Sequence, residues 1–221
     1  MVFAPHPDDE TFSCGGTIAK KINEGYEVII VILTDGRYLL RIKFGIESAP
    51  SPEEVRIIRR EEIIGAMKIL GVPMENLIFL DFEDGSLKEH EKKAEESIIK
   101  ILEDYSPVEV YFPYIKDFHP DHILTNRIVR RCLQKSELKP IVLQYFTKHK
   151  HRYIGPIIEK VFNHFEMNRI EVNISEFLDL KEKAVMEFKS ELSIISRKQK
   201  KPINNKIKKY LKKKEIFYID K

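Results

Sequence analysis

Val28-Ile29-Ile30-Val31-Ile32-Leu33 runs without a polar break into Thr34-Asp35-Gly36. A strand that shows no alternation must be covered on both faces, as happens inside a parallel sheet with helices on either side. Upstream, Val2-Phe3-Ala4 before Pro5 reads as the end of a first strand, shorter than a complete strand of this kind. Residues 16–24 read as a helix stopped by Gly25. Downstream, residues 37–51 read as irregular. Ser51-Pro52-Glu53-Glu54 then starts a helix, with Ser51 as N-cap and Pro52 at its first position, and Gly71 ends it. Strands over 77–80, 108–112 and 141–146 alternate with helices over 89–104 and 119–134. A helix over 155–165, a strand over 169–174 and a helix over 176–190 come next. This alternation predicts an α/β fold: a single doubly wound, Rossmann-like, mostly parallel sheet with flanking helices. Such sheets bind ligands at the carboxyl ends of their strands. Residues 5–10, 34–36 and 117–122 lie at three strand ends and are expected to form one site.

The 221 residues, 43% of them apolar, suit one core. No apolar run is long enough to span a bilayer and the N-terminus lacks a signal-peptide pattern, so a cytoplasmic address is expected. Cys14 and Cys132 have neither metal nor redox spacing and read as free thiols, Cys14 as a small buried filler. The net charge of +3 is uneven: residues 197–214 hold ten Lys or Arg and no acid, which leaves the rest at −7. Two segments are expected, residues 1–191 as the main domain and residues 192–221 as a basic C-terminal tail. Ile207, Tyr210 and Leu211 stand at helical spacing, so the tail is expected to be helical. A solvated basic helix is the preferred reading of it. Peripheral contact with an acidic membrane stays open, and nucleic acid ranks last.

The chemistry concentrates in two motifs. Ala4-Pro5-His6-Pro7-Asp8-Asp9-Glu10 packs one imidazole and three carboxylates into five positions. Carboxylates this close repel unless a cation holds them. The alternative is an acidic loop capping a helix, which has no need of His6. In Asp117-Phe118-His119-Pro120-Asp121-His122, the two histidines stand three apart at a helix start and can face one side. Alone, that pattern reads as a Pro-initiated helix with surface histidines. Together the motifs supply two histidines and a carboxylate, the donor set of a catalytic zinc site with an open position. A histidine and a carboxylate remain for acid–base work. The donor set suits ferrous iron as well as zinc. Gly15-Gly16 lacks the spacing of a nucleotide loop and reads instead as close helix packing.

With these motifs the chain resembles the PIG-L or LmbE-like family of zinc-dependent de-N-acetylases. The resemblance rests on Ala4 with His6 to Glu10, and on Asp117 to His122. Cys14-Gly15-Gly16-Thr17, Thr34-Asp35-Gly36, Arg59-Arg60-Glu61-Glu62 and Leu70-Gly71-Val72 extend it. It implies His6, Asp9 and His122 as metal ligands and Asp8 as general base. It implies His119 as the group that stabilises the oxyanion or protonates the leaving amine, with Asp121 tuning it. Arg59 and Asp84 are implied as substrate contacts, with a solvated helix face an equal reading for Arg59. Asp117 is implied to orient a ligand histidine. The implied activity is removal of an N-acetyl group from an N-acetylglucosamine-type sugar or conjugate, with Zn2+, or alternatively Fe2+, as cofactor. A small amino-sugar substrate and a homo-oligomer are the implied partners. An amidase acting on another amide, or a non-catalytic binding protein using its basic tail, are the alternatives. Asp8 favours the hydrolase, since a retired site is free to lose it. Near the C-terminus, Lys181 and Ala184 fit the family pattern, whereas Phe188 stands for its His and Glu191 for its Gln.

Overall fold

The computed structural model describes residues 1–117, 119–147, 167–205 and 207–220. Among them the sheet has seven strands in the order β3-β2-β1-β4-β5-β7-β6. They are β1 (Val2–Ala4), β2 (Ile30–Thr34), β3 (Leu77–Phe82), β4 (Glu109–Pro113), β5 (Ile141–Tyr145), β6 (Met167–Asn173) and β7 (Lys214–Asp220). The first five pair in parallel, and β7 pairs antiparallel with both β5 and β6. The expected doubly wound α/β sheet is therefore present. β2 is buried at every position, as its unbroken apolar run requires. On one face α1 (Asp9–Asn23), α3 (Pro52–Leu70) and α6 (Leu178–Met186) pack together over Ile18, Ile30, Ile32, Ile63 and Met67. On the other, α4 (Glu91–Tyr105) and α5 (Pro120–Lys135) cover Phe3, Val31, Leu33, Val110 and Phe112.

The local signals for α3 act as expected. Ser51 Oγ accepts the Glu54 N–H at 3.3 Å while Glu54 Oε2 accepts the Ser51 N–H at 2.7 Å, with Pro52 in the first turn. Three expectations change. The helix expected over 16–24 begins at Asp9, so the first motif runs directly into it. Residues 37–51 are not wholly irregular: α2 (Leu39–Phe44) forms because Leu39 and Leu40 bury against Ile46 and Val55. The helix expected over 155–165 lies outside the described residues.

The C-terminal tail departs most. Its sequence predicts a helix, yet residues 214–220 form β7, inserted between β5 and β6. Glu215-Ile216-Phe217-Tyr218-Ile219 has the aromatic and β-branched content of a strand, and Phe217 is fully buried. The helical spacing of Ile207 yields only a 3-10 turn, Ile207–Lys209. Glu215 is itself buried. It takes the Lys181 ammonium at 2.5 Å and the Gly16 and Thr17 N–H groups of α1 at 2.9 and 2.7 Å. Gly16 does permit close packing, but against the side chain just past β6: an added Cβ would stand 2.3 Å from Ile174 Cδ1. Cys14 and Cys132 are buried free thiols. No helix among the described residues is long and apolar enough to cross a membrane.

The Lys181–Glu215 pair ties β7 to α1 and α6, and a buried pair is costly to break from one side. Glu215→Leu is expected to lower unfolding free energy by about 3–5 kcal/mol in urea titration. Lys181→Met combined with Glu215→Leu is expected to recover part of that loss.

Candidate metal centre

β1 and β4 lie side by side where the strand order reverses, so the segments leaving them open onto one crevice. His6 to Glu10 leave β1, and His119 to His122 start α5 beyond β4. The two motifs, over a hundred residues apart, meet there. The His6 and His122 ring centroids are 5.3 Å apart, and His119 lies 4.7 Å from His6 and 5.0 Å from His122.

Each of two histidines is fixed at one nitrogen by a carboxylate. His6 Nε2 is 3.2 Å from Asp121 Oδ2 and 3.4 Å from Asp84 Oδ1. His122 Nδ1 is 3.1 Å from Asp117 Oδ2. The opposite nitrogens, His6 Nδ1 and His122 Nε2, each stand 3.2 Å from the same atom, Asp9 Oδ2. A carboxylate behind a ligating imidazole sets ring orientation and tautomer. Zinc bound tetrahedrally at about 2.0–2.1 Å places its donors roughly 3.3 Å apart, and the two nitrogen-to-Asp9 distances match that spacing. Among the described residues, the groups whose donor atoms all lie within 4.8 Å of one another are His6, His119 and His122, and His6, Asp84 and Asp121. Burial opposes charge on His6, yet its bonds to Asp121, Asp84 and Asp9 hold its pKa well above the usual histidine value. Burial likewise opposes charge on Asp9, and His122 and His6 still draw its carboxyl well below the usual range.

Asp8 occupies the N-cap position of α1 but makes no side-chain cap. Its backbone is held at φ 137°, a conformation that costs a non-glycine residue about 1–3 kcal/mol. Its Oδ2 lies 3.0 Å from Arg59 Nη2. A capping role therefore does not explain this residue. Burial, opposed by Arg59, raises the Asp8 carboxyl well above its ordinary value. Arg59 is buried rather than part of a solvated helix face, with 2% exposure. Its guanidinium is committed to Asp8 and to the carbonyls of Gly36 (3.2 Å) and Pro7. Glu10 turns inward, accepting the Asp8 N–H at 3.1 Å and the Thr11 hydroxyl at 2.6 Å, and burial lifts its carboxyl to about 7.

His119 is the N-cap of α5, and its Nδ1 accepts the Asp121 N–H at 3.3 Å. That bond leaves the ring proton on Nε2. Burial and the neighbouring His6 and His122 depress its pKa to about 4. Asp121 sends its carboxylate to His6 and to the Gly85 N–H (3.1 Å), bonds the His119 ring through its backbone N–H, and its charge acts to raise the His119 pKa against burial. Asp84 accepts the Tyr38 N–H at 3.1 Å, and the His6 bonds, working against burial, lower its carboxyl to about 2.

The site opens into a cavity of about 340 Å³. Three groups of lining residues escaped the sequence reading, one of them Leu39, Ile42 and Lys43 of α2, from a segment expected to be irregular. Thr147, just past β5, places its hydroxyl 3.1 Å from both His122 Nδ1 and Asp117 Oδ2. Its place at the fifth strand end is a signal that the sequence does carry. Glu191, Asn204, Lys209 and Tyr210 build a wall from the C-terminal segment; the family pattern around Lys181 and Ala184 reaches Glu191, which stands for its Gln, but does not extend to the other three. Tyr210 stands edge-on to Phe12 at 4.6 Å, while Ser196 Oγ bonds the Ala49 carbonyl at 2.5 Å.

The family model described as PIG-L: GlcNAc-PI de-N-acetylase matches residues 1–133. A protein of Bacillus cereus described as "Probable N-acetyl-alpha-D-glucosaminyl L-malate deacetylase 2" is 28% identical over 174 residues, 74% of this chain and 77% of that one. The mycothiol S-conjugate amidase of Streptomyces coelicolor is 33% identical over 144 residues, 58% of this chain and 49% of the amidase. The chain thus spans about three quarters of the first relative and about half of the second. Among solved structures, the N,N'-diacetylchitobiose deacetylase of Pyrococcus horikoshii, complexed with its inhibitor MPG, matches with a TM-score of 0.64 and 27% identity. That match covers 84% of this chain and 67% of that one.

Gly36, at φ 64°, lies under Arg59: a Cβ there would stand 2.7 Å from Nη1 and 2.9 Å from Cζ. Gly45, at φ 68°, has nothing within 4 Å and isolates the backbone cost. Gly45→Ala is expected to destabilise by about 1–2 kcal/mol. Gly36→Ala is expected to cost clearly more by urea unfolding, the difference measuring displacement of Arg59.

Proposed function

We propose, since the chain belongs to the PIG-L family of GlcNAc-PI de-N-acetylases, that it is a metal-dependent hydrolase of an acetamide. The substrate is an N-acetylglucosamine-type sugar or conjugate, and the products are acetate and a free amine. One observation carries the reading: two imidazoles, each backed by a carboxylate, present their free nitrogens to one oxygen of Asp9 beside the strained Asp8. His6, Asp9 and His122 would hold the ion, zinc in the first instance and ferrous iron as the alternative. A divalent ion bound there polarises the acetamide carbonyl and lowers the pKa of water to about 7.

The chain's own residues do the rest. Asp8 takes the proton of the attacking water as general base, lining the cavity next to Asp9 and held by Arg59 at 3.0 Å. Arg59 fixes the carboxylate against the backbone of Pro7 and Gly36, so the base keeps one orientation. His119, neutral and protonated on Nε2, donates to the oxyanion that develops on the carbonyl oxygen or gives that proton to the departing nitrogen. As the C–N bond breaks, the nitrogen takes a proton from His119 or the one that Asp8 removed from water, and acetate and the amine leave. Asp117 and Asp121 orient His122 and His6. Arg59 supports catalysis through Asp8, and Asp84 is assigned the substrate contact.

Acetate release from N-acetylglucosamine and its disaccharide tests the reading, with bound metal quantified for each sample. Asp8→Asn is expected to keep its metal and lose about 10²–10⁴-fold in kcat. Chelation of wild type is expected to abolish acetate release and zinc to restore it. A metal-free wild type that cannot be loaded, or full activity in Asp8→Asn, contradicts the proposal.

A further inference from the structure

We propose that Glu191 sets substrate specificity: its carboxylate receives a hydrogen-bond-donating group of the substrate, a sugar hydroxyl or an ammonium. The inference rests on the deacetylase reading and names what the C-terminal wall of the cavity recognises.

Glu191 lies in α7 (Lys189–Leu192) and lines the cavity with Asp8, Arg59, Asn204 and Tyr210. It is 8% exposed. Its position is fixed on both sides. Its own N–H bonds the Phe188 carbonyl at 3.1 Å, and its carbonyl accepts the Asn204 N–H at 2.8 Å. Ser190 gives its N–H and Oγ to Glu62 at 2.7 and 2.6 Å, anchoring the turn to α3. The backbone is held, yet among the described residues no hydrogen bond or ion pair reaches the Glu191 carboxylate. Arg59 feels its charge, but every hydrogen bond that guanidinium makes goes to Asp8, Pro7 or Gly36.

The carboxylate faces the cavity with no protein donor among the described residues, so a ligand that displaces water there must supply a donor or leave the group unpaired. It is also acceptor-only, so the complementary group must be a donor. A sugar in the cavity offers hydroxyls, and an amino sugar that has already lost an acetyl group offers an ammonium. A site built around such a bond discriminates against ligands that lack the donor, because its own polar group is then left unpaired.

Glu191→Gln keeps shape and removes the charge, and urea unfolding checks that it folds as wild type does. KM and kcat are measured on the N,N'-diacetylated disaccharide and on its singly deacetylated form, and the affinity for glucosamine by NMR titration. Hydrogen bonds to a charged group convert to an expected rise of about 10- to 100-fold in KM and in glucosamine Kd, with kcat within about twofold. A rise on both substrates assigns a hydroxyl, and a rise confined to the singly deacetylated one and to glucosamine assigns the ammonium. Unchanged KM and Kd throughout overturn the inference. A wild type that releases no acetate contradicts the deacetylase reading instead. Glucosamine affinity alone then decides, with loss in Glu191→Gln upholding the role and equality overturning it.

Discussion

One oxygen of Asp9 lies 3.2 Å from an imidazole nitrogen of His6 and 3.2 Å from one of His122. The two rings come from opposite sides of the reversal in strand order, so this convergence exists only when β1 and β4 are neighbours. Each ring is held by a carboxylate on its far nitrogen, Asp121 behind His6 and Asp117 behind His122. The carboxylates crowded here would repel one another in water. Buried among imidazoles, they become a donor set with fixed orientation.

Around that point the fold spends stability on geometry. Asp8 accepts an unfavourable backbone and gives up its cap to face Arg59. Gly36 leaves the room that Arg59 fills. The C-terminal segment contributes twice. Through Glu215 it stitches β7 to α1 and α6, and through Glu191, Asn204 and Tyr210 it closes the cavity. The ten basic residues of 197–214 are thus flanked by the two buried acids, Glu191 and Glu215, through which the C-terminal segment works.

The sheet was legible because β2 carries its burial on its face: an unbroken β-branched run has few other homes. The strand-end rule likewise brought residues 6–10 and 117–122 to one crevice before any contact was known. What stayed hidden depends on partners distant in sequence. Nothing near Glu215 says that it will meet Lys181 and the backbone of Gly16, so a basic stretch with helical spacing masked a strand. Arg59 looked as much like a surface arginine as a site residue, since only the fold puts Asp8, Pro7 and Gly36 around it. The carboxylate of Asp121 bonds His6, a partner that sequence spacing does not reveal, while its charge still acts on His119.

The account turns on which side of His6 takes the ion. Anomalous diffraction at the zinc edge from crystals of the zinc-loaded protein reads this directly. The account predicts one ion about 2.0–2.2 Å from His6 Nδ1, the Asp9 carboxylate and His122 Nε2, with Asp8 outside the ligand set. An ion held instead by His6 Nε2, Asp84 and Asp121 would contradict it.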